Sequence, residues 1–146
     1  MPTVQEKLAG LQAEFADCEP RERLIMLLDF SESLPALPET YRAERDAGLH
    51  RVPECQTPVF LWVELADGQV RIHADVAPEA PTVKGFVGIL VSAFDGAAPD
   101  EILATPSDLV QHFGLAEALG MQRMRGLFAI HTRILREVRQ LTEPAN

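Results

Sequence analysis

The chain has 146 residues, of which 47% are hydrophobic and 24% are charged, and its formal net charge is −9. This length and composition are typical of one globular domain, which we expect to span residues 1–146. The acidic balance argues against a nucleic-acid-binding protein, because phosphate contacts require clustered Lys and Arg. No stretch approaches the ~20 consecutive apolar residues of a membrane helix, and no secretory leader is visible, so we expect a cytoplasmic protein with reduced thiols.

Two helices are predicted at the start of the chain. Thr3-Val4-Gln5-Glu6 has the form of a capping box, and the apolar residues that follow predict a helix from about Val4 to Ala16. A second helix is predicted from about Arg21 up to Leu34-Pro35, because the residue before a proline is pushed out of the helical region. A short polar helical turn is predicted over Glu39 to Asp46.

An antiparallel hairpin is predicted in the centre of the chain. Apolar residues alternate from Val59 to Leu65, which is the period of a strand, and Asp67-Gly68 is a strong signal for a two-residue turn. Folding about this turn gives five cross-strand pairs: Leu65 with Val70, Val63 with Ile72, Leu61 with Ala74, Glu64 with Arg71 and Trp62 with His73. Arg51-Val52 is expected to add a short third strand.

Helices are predicted for the rest of the chain. Apolar residues between Val83 and Phe94 form a core-facing helical stripe, within which Gly85 and Gly88 indicate either close backbone packing or a later helix start. Further elements are expected at Pro99–Ala104, Pro106–Gly114, Leu115–Leu119 and Gln122–Leu141. This order predicts an α+β fold in which helices cover one face of a small, three-stranded antiparallel sheet.

Cys55 is the residue that most clearly indicates chemistry. It lies in the polar segment Val52-Pro53-Glu54-Cys55-Gln56-Thr57, directly before the first strand. Free cysteines are most often buried, but this setting favours a loop that presents a nucleophile, and both interpretations stay open. The charge of Glu54 should raise the pKa of the thiol, so activation has to come from elsewhere in the fold or from a partner. Cys18, the other cysteine, is interpreted as incidental.

The cysteines and histidines do not have the spacing of a metal site, so no metal is expected. Two cysteines are also too few for an iron–sulfur cluster, which commonly takes four thiolates. His50 is a candidate base for Cys55, although such partners are usually distant in the chain. His131 is interpreted as a satisfied core histidine on the apolar side of the last helix, together with Leu127, Phe128 and Leu135.

Arg123 and Arg125 begin the last helix, where positive charge is slightly unfavourable against the helix dipole. This placement indicates a role toward a thiolate or toward an acidic group of a partner. An ordinary surface role stays the alternative.

Four segments occur together in a recognisable order: Leu34-Pro35-Ala36-Leu37-Pro38-Glu39-Thr40-Tyr41-Arg42, Val52-Pro53-Glu54-Cys55-Gln56-Thr57, Val83-Lys84-Gly85-Phe86 and Arg123-Met124-Arg125-Gly126-Leu127. In this order and spacing they resemble the SufE family, the sulfur acceptors of cysteine desulfurases, in a form similar to those of actinobacteria. The cysteine segment is the specific part of the match. The resemblance implies an α+β fold similar to the IscU-type scaffold, with the acceptor cysteine on a loop beside the sheet.

The resemblance also implies a function. Cys55 would take the persulfide sulfur of a SufS-type cysteine desulfurase, stimulate that enzyme and pass the sulfur to iron–sulfur scaffold proteins. The protein would then be a covalent carrier and not an enzyme, and it would have no cofactor, because pyridoxal phosphate belongs to the desulfurase. We expect neither nucleic acid nor a membrane among its partners, and a monomer or a weak homodimer.

Supporting residues follow from the same resemblance. Arg123 matches the family's arginine near the acceptor loop, and Asp75 or Glu79 matches its acidic residues ahead of the segment that contains Lys84.

The chain departs from the family pattern in two places. Glu54, Gln56 and Thr57 surround the cysteine where the family commonly has Gly, Gln and Ser, and the exchange to Glu54 removes backbone freedom and adds negative charge. Pro78 and Pro81 lie in a segment that is usually two residues shorter.

Two other hypotheses stay open. The first is a standalone cysteine enzyme, such as a thiol peroxidase or a hydrolase, in which Cys55 works with His50 or a distant histidine and needs no partner. The second is an acidic interaction module in which the cysteine is inert, so that a Cys55→Ser substitution would be silent.

Overall fold

The computed structural model describes residues 2–143. In this range lie seven α-helices, one 3₁₀ helix and one β-hairpin. The helices are α1 (Val4–Ala16), α2 (Pro20–Ser33), α3 (Glu39–Asp46), α4 (Pro81–Phe94), α5 (Pro99–Leu103), the 3₁₀ helix (Leu109–Phe113), α6 (Ala116–Leu119) and α7 (Met121–Thr142), and the strands are β1 (Val59–Ala66) and β2 (Gln69–Val76). None of the helices within residues 2–143 is both long and apolar enough to cross a membrane.

The first helices begin and end close to the predicted positions. The hydroxyl of Thr3 accepts a hydrogen bond from the backbone N–H of Glu6 at 3.1 Å, which fixes the start of α1. Helix α2 ends at Ser33 because Leu34, which precedes Pro35, has an extended backbone with φ −69° and ψ 119°. The predicted helical turn α3 is also present.

The hairpin forms in the predicted register, and all five predicted cross-strand pairs are present. Asp67 and Gly68 have positive φ angles of 54° and 75°. A turn with both central residues in this region has the twist that antiparallel strands require, which explains why Asp-Gly was informative.

The prediction of a third strand is wrong, since the sheet has two strands and Arg51 forms only an isolated bridge to Phe60. The backbone turns away on both sides of this bridge. His50 has a left-handed φ of 65°, and Pro53 has no N–H with which to extend the ladder.

Helix α4 packs against α2 so closely that two of its positions have no space for a side chain. A Cβ atom at Gly85 would lie 2.0 Å from the carbonyl oxygen of Leu27, and one at Gly88 would lie 2.6 Å from that of Phe30. The close-packing interpretation of both glycines is therefore confirmed, and the helix does not start later than predicted.

Helices lie on both faces of the hairpin, so the prediction that they cover one face is wrong. The face formed by Leu61, Val63 and their partners is buried against α4 and α7. On the opposite face Tyr41 of α3 lies 5.3 Å from the ring of Trp62 and 4.9 Å from that of His73, measured between ring centroids. Trp62 is only 3% exposed. Its large ring needs this cover, and the α+β class itself is confirmed.

The C-terminal elements bring a long helix back to the hairpin. The segment predicted at Pro106–Gly114 contains a 3₁₀ helix instead of a full α-helix, and it ends at Gly114 with a φ of 64°. Helix α7 exceeds its predicted range by one residue at each end. Because α7 packs on β1, its first turns lie near the loop that precedes this strand.

Candidate functional site

Cys55 lies in a short loop whose base is closed by a hydrogen bond from the N–H of Val52 to the carbonyl oxygen of Val59 at 2.8 Å. The side chain of Cys55 is 6% exposed, while Glu54 and Gln56 on either side are exposed. The loop is therefore polar, as predicted, but the thiol is turned inward. The expectation of a presented nucleophile does not hold in this conformation, because the sulfur packs on a helix that is distant in the sequence.

The sulfur rests directly on the backbone of α7 at Gly126. Its S–H donates a hydrogen bond to the carbonyl oxygen of Gly126, with 3.4 Å between sulfur and oxygen. A Cβ atom at position 126 would lie 3.3 Å from Sγ of Cys55, which is closer than ordinary van der Waals contact. The absence of a side chain at Gly126 therefore creates the seat for the thiol.

The buried seat keeps Cys55 protonated. The pKa of the thiol is raised to about 11, mainly by burial and also by the charge of Glu54, while Arg51 acts in the opposite direction. The effect of Glu54 agrees with the prediction from the sequence. Since the thiolate is the reactive form, the thiol in this conformation reacts only slowly at neutral pH.

A cavity of about 730 Å³ opens beside the seated sulfur. Its walls come from the cysteine loop, from the start of α4 and from the start of α7. Six of the residues predicted for the site line it: Glu54, Cys55, Gln56, Thr57, Glu79 and Arg123. The structure therefore brings together the loop residues, one of the two acidic candidates and the arginine.

Charges of both signs line this cavity, since Glu54 and Glu79 are acidic and Arg123 and Arg125 are basic. Helices α4 and α7 both begin at it, and their N-cap residues, Ala80 and Gly120, make no side-chain capping bond. The partial positive charge of a helix N-terminus is added to that of Arg123 and Arg125, which also line the cavity. Within residues 2–143 neither guanidinium has an ion-pair partner. A sulfur anion that moved from the seat toward the arginines and the helix starts would gain compensating positive charge, against which Glu54 and Glu79 act.

Two of the predicted residues do not line the cavity. Asp75 lies on β2 and forms an ion pair with Arg45 of α3 at 3.3 Å. Lys84 lies on α4, half-buried, outside the cavity lining. The acidic residue that reaches the site is Glu79, which is exposed ahead of α4.

The histidine candidates are occupied elsewhere. Nε2 of His50 lies 2.7 Å from a carboxylate oxygen of Glu44, and its ring stacks on Trp62, so the predicted Cys–His pair does not form. His131 is fully buried, and its Nε2 lies 3.0 Å from the hydroxyl oxygen of Thr105. Its Nδ1 has no partner among the described residues, so the core position is confirmed but only one nitrogen is satisfied. Burial lowers the pKa of His131 to about 4.

Cys18 is separate from the site. It is half-buried, and its sulfur lies 3.4 Å from that of Met26. Across residues 2–143, no three His, Cys, Asp or Glu side chains come together as a metal site would require.

Sequence reasoning missed three contributors to the site, Thr82, Gln122 and Gly126. The signal for Gly126 was present, because a glycine in the interior of a long helix costs ~1 kcal/mol relative to alanine and so indicates a close approach. That argument identified Gly85 and Gly88, and it applies equally to Gly126. Thr82 and Gln122 carry no comparable signal.

Comparison with known proteins gives a consistent family assignment. The family model of SufE, described as the Fe-S metabolism associated domain, matches residues 9–138. An uncharacterised SufE-like protein of Mycobacterium tuberculosis is 40% identical over 134 residues, which cover 91% of this chain and 92% of that protein.

Two further relatives differ in kind. A chloroplastic quinolinate synthase of Nicotiana tabacum is 35% identical over 103 residues, which cover 70% of this chain but only 14% of that protein. The solution structure of a hypothetical protein from Thermus thermophilus superposes with a TM-score of 0.77 at 33% identity, and it covers 92% of this chain and 95% of that one. The matching region thus makes up nearly the whole of one relative and only a small part of the other.

Proposed function

Because this chain belongs to the SufE family and therefore has a role in iron–sulfur metabolism, we propose that Cys55 accepts sulfur from a cysteine desulfurase and carries it as a persulfide. The observation that supports this most directly is the seat of Cys55. A lone thiol rests on the backbone of Gly126 beside a cavity in which Arg123 and Arg125 offer positive charge. Within residues 2–143 no side chain that could act as a base hydrogen-bonds to the thiol, so the site fits a group that reacts when a partner engages it.

The transfer is a thiol exchange that needs no added oxidant or reductant. The Cys55 thiolate attacks the outer sulfur of the desulfurase persulfide, a new S–S bond forms at Cys55, and the S–S bond on the desulfurase breaks. The desulfurase cysteine leaves as a thiolate. The proton of the Cys55 thiol passes to solvent or to a base of the partner, and the persulfide on Cys55 is held near Arg123.

The buried conformation has a consequence for regulation. With a pKa of about 11 and 6% exposure, the thiol of the free protein is protected from oxidants and from stray electrophiles. Binding of the desulfurase must therefore move the loop, and the Val52–Val59 hydrogen bond closes the base about which it can swing. The S–H bond to Gly126 is available to the thiol only, since a persulfide has no hydrogen on Sγ.

Further parts of the proposal follow from the family. The partner is a SufS-type desulfurase that carries pyridoxal phosphate, the protein stimulates it without being an enzyme itself, and the sulfur is delivered to iron–sulfur scaffold proteins in the cytoplasm. The standalone-enzyme hypothesis is weakened because His50, its proposed base, pairs with Glu44 and does not line the cavity.

Mass spectrometry of the intact protein tests the proposal. After incubation with a SufS-type desulfurase and cysteine, the protein should gain the mass of one sulfur atom, and reduction with dithiothreitol should remove it. The Cys55→Ser variant should gain nothing, whereas Cys18→Ser should be loaded like the unsubstituted protein. Loading that persists in Cys55→Ser, or turnover of a small substrate without any partner, would refute the proposal.

A further inference from the structure

A stripe of apolar side chains lies on the outer surface of α7, and of its three residues Met124 also packs partly against the core. Met121 is 72% exposed, Phe128 is 46% exposed and Met124 is half-buried. Their spacing of three and four residues places them on one side of the helix, where they line a shallow cavity of about 490 Å³. We call Met121, Met124 and Phe128 the Met–Phe patch.

Folding accounts for Met124, which packs against the core, but not for the exposed Met121 and Phe128. The side of α7 that faces the core is complete without it, because Leu127, Ile130 and Ile134 are fully buried. The sequence placed Phe128 on the apolar side of the helix, yet the structure leaves nearly half of it in water. Contiguous apolar residues that folding does not bury mark interaction surfaces, and methionine is adaptable enough to suit a partner's shape.

The patch is continuous with the cysteine site through Arg125. This arginine lines both the cavity beside Cys55 and the shallow cavity of the patch. A protein that covers the opening of the Cys55 cavity therefore meets Arg125, and the apolar surface begins directly beside this residue.

The charges beside the patch specify the chemistry of the partner. Arg123 and Arg125 are exposed in the first turns of α7, where the helix dipole disfavours positive charge. They have no ion-pair partners within residues 2–143, although the chain has 22 acidic residues. Carboxylates from another molecule would form ion pairs with these arginines and would offset their unfavourable interaction with the helix dipole.

We propose that the Met–Phe patch together with Arg125 is the docking surface for the desulfurase, which should present an apolar side chain flanked by carboxylates. This inference rests on the proposed function, since it assigns the partner of the same site. A second copy of this chain fits less well. The patch adjoins the Cys55 cavity through Arg125, and the desulfurase has to reach that cavity whereas a second copy does not.

Affinity measurements with single substitutions test the docking surface. Phe128→Ala should weaken binding of the desulfurase at least about fivefold, as expected for a central apolar contact. Leu65→Ala is the matched control, because Leu65 is 41% exposed at the end of the hairpin and should leave the Kd unchanged. Arg125→Gln should also weaken binding and should make the Kd less sensitive to salt.

The outcomes separate this inference from the proposed function. Loading of Cys55 at a saturating desulfurase concentration should be retained in Phe128→Ala. If sulfur reaches Cys55 but neither Phe128→Ala nor Arg125→Gln alters the Kd, the docking surface is refuted and the sulfur transfer stands. If Phe128→Ala weakens binding but the unsubstituted protein acquires no sulfur, the docking surface stands and the sulfur transfer is refuted. A homodimer in sedimentation that Phe128→Ala dissociates would assign the patch to a second copy and overturn the inference.

Discussion

The connection from α3 to β1 has two halves that differ in how they are held. The first half, up to Val52, makes several contacts with the sheet and α3, whereas the second half, residues 53–57, makes few. In the first half His50 stacks on Trp62 with ring centroids 5.1 Å apart, contacts Glu44 at 2.7 Å, and accepts a backbone hydrogen bond from Leu61 at 3.0 Å. Tyr41 of α3 packs against Trp62 of β1, on the same face of the sheet as His50. We call Tyr41, Glu44, His50, Trp62 and His73 the aromatic cluster.

In the second half a single side chain makes the contact. Among the described residues, the hydrogen bond that ties loop residues 53–57 to a distant helix is the S–H bond of Cys55 to Gly126. The neighbouring Pro53, Glu54 and Gln56 are exposed. Because the first half is well packed and the second half is not, movement is confined to the loop. Cys55 can therefore leave its position on Gly126 without disturbing the sheet.

The largest loss of stability is expected from a substitution in the aromatic cluster, which holds the first half of the connection. Trp62→Ala removes a ring that is 3% exposed, and the free energy of unfolding should fall by about 3 kcal/mol, as for other buried aromatic residues. Urea denaturation measures this loss. Trp62→Phe, which keeps a ring but loses the hydrogen bond from Nε1 to Glu44, should lose less. A loss below about 1 kcal/mol for Trp62→Ala would mean that the aromatic cluster does not anchor the connection.

A substitution at Gly126 should have a smaller effect on stability but a specific effect on the reactivity of Cys55. Gly126→Ala places a methyl group 3.3 Å from the sulfur of Cys55 and should displace it toward the cavity. Alkylation of Cys55 in the free protein should become about fivefold faster, because a contact worth ~1 kcal/mol is lost. Iodoacetamide kinetics followed by intact mass would measure the change.

Gly10→Ala is the matched control for this experiment. Gly10 lies in α1 and has nothing within 4 Å of a would-be Cβ, so the substitution adds helix propensity without a steric clash. It should stabilise the protein and leave the alkylation of Cys55 unchanged. Equal alkylation rates in Gly126→Ala and the unsubstituted protein would show that the seat does not restrain the thiol.

The same contrast explains what could be predicted from the sequence. The hairpin register followed from local signals, since Asp67-Gly68 fixes the turn and alternation fixes the faces. The burial of Cys55 depends on Gly126, which is 71 residues away, and the polar residues beside the cysteine indicated the opposite. Long-range packing of this kind leaves no mark in the local pattern except the glycine itself.

The residues predicted to support Cys55 fall into those that line the cavity and those that do not, and the difference again lies between local and long-range structure. Glu54, Gln56 and Thr57 line the cavity because they are covalent neighbours of Cys55. Asp75 instead pairs with Arg45 of α3, a helix whose position over the second face of the sheet was not predicted. The prediction of a third strand failed because the left-handed backbone of His50 ends the pairing with β1 after a single bridge, and the ring of His50 packs in the aromatic cluster.

A further test concerns the pH dependence of Cys55. Its pKa of about 11 means that the alkylation rate of the free protein should still rise about tenfold per pH unit up to about pH 10, without a plateau. The folded state retains the proton to a higher pH than the unfolded state, whose thiol has the ordinary pKa of 9.0. The stabilising contribution of the protonated thiol is therefore complete below pH 9 and is lost as the pH rises toward about 11.

Glu54→Gln should shift this behaviour only slightly. It removes the second cause of the raised pKa and leaves the larger one, burial, in place. The pKa of Cys55 should therefore fall but stay above its ordinary value, and alkylation at pH 8 should become about two- to threefold faster. Glu14→Gln, an exposed carboxylate on α1, is the charge-matched control and should change nothing. A plateau near neutral pH in the unsubstituted protein would contradict the buried seat, because it would require a thiolate that the second half of the connection already exposes to solvent.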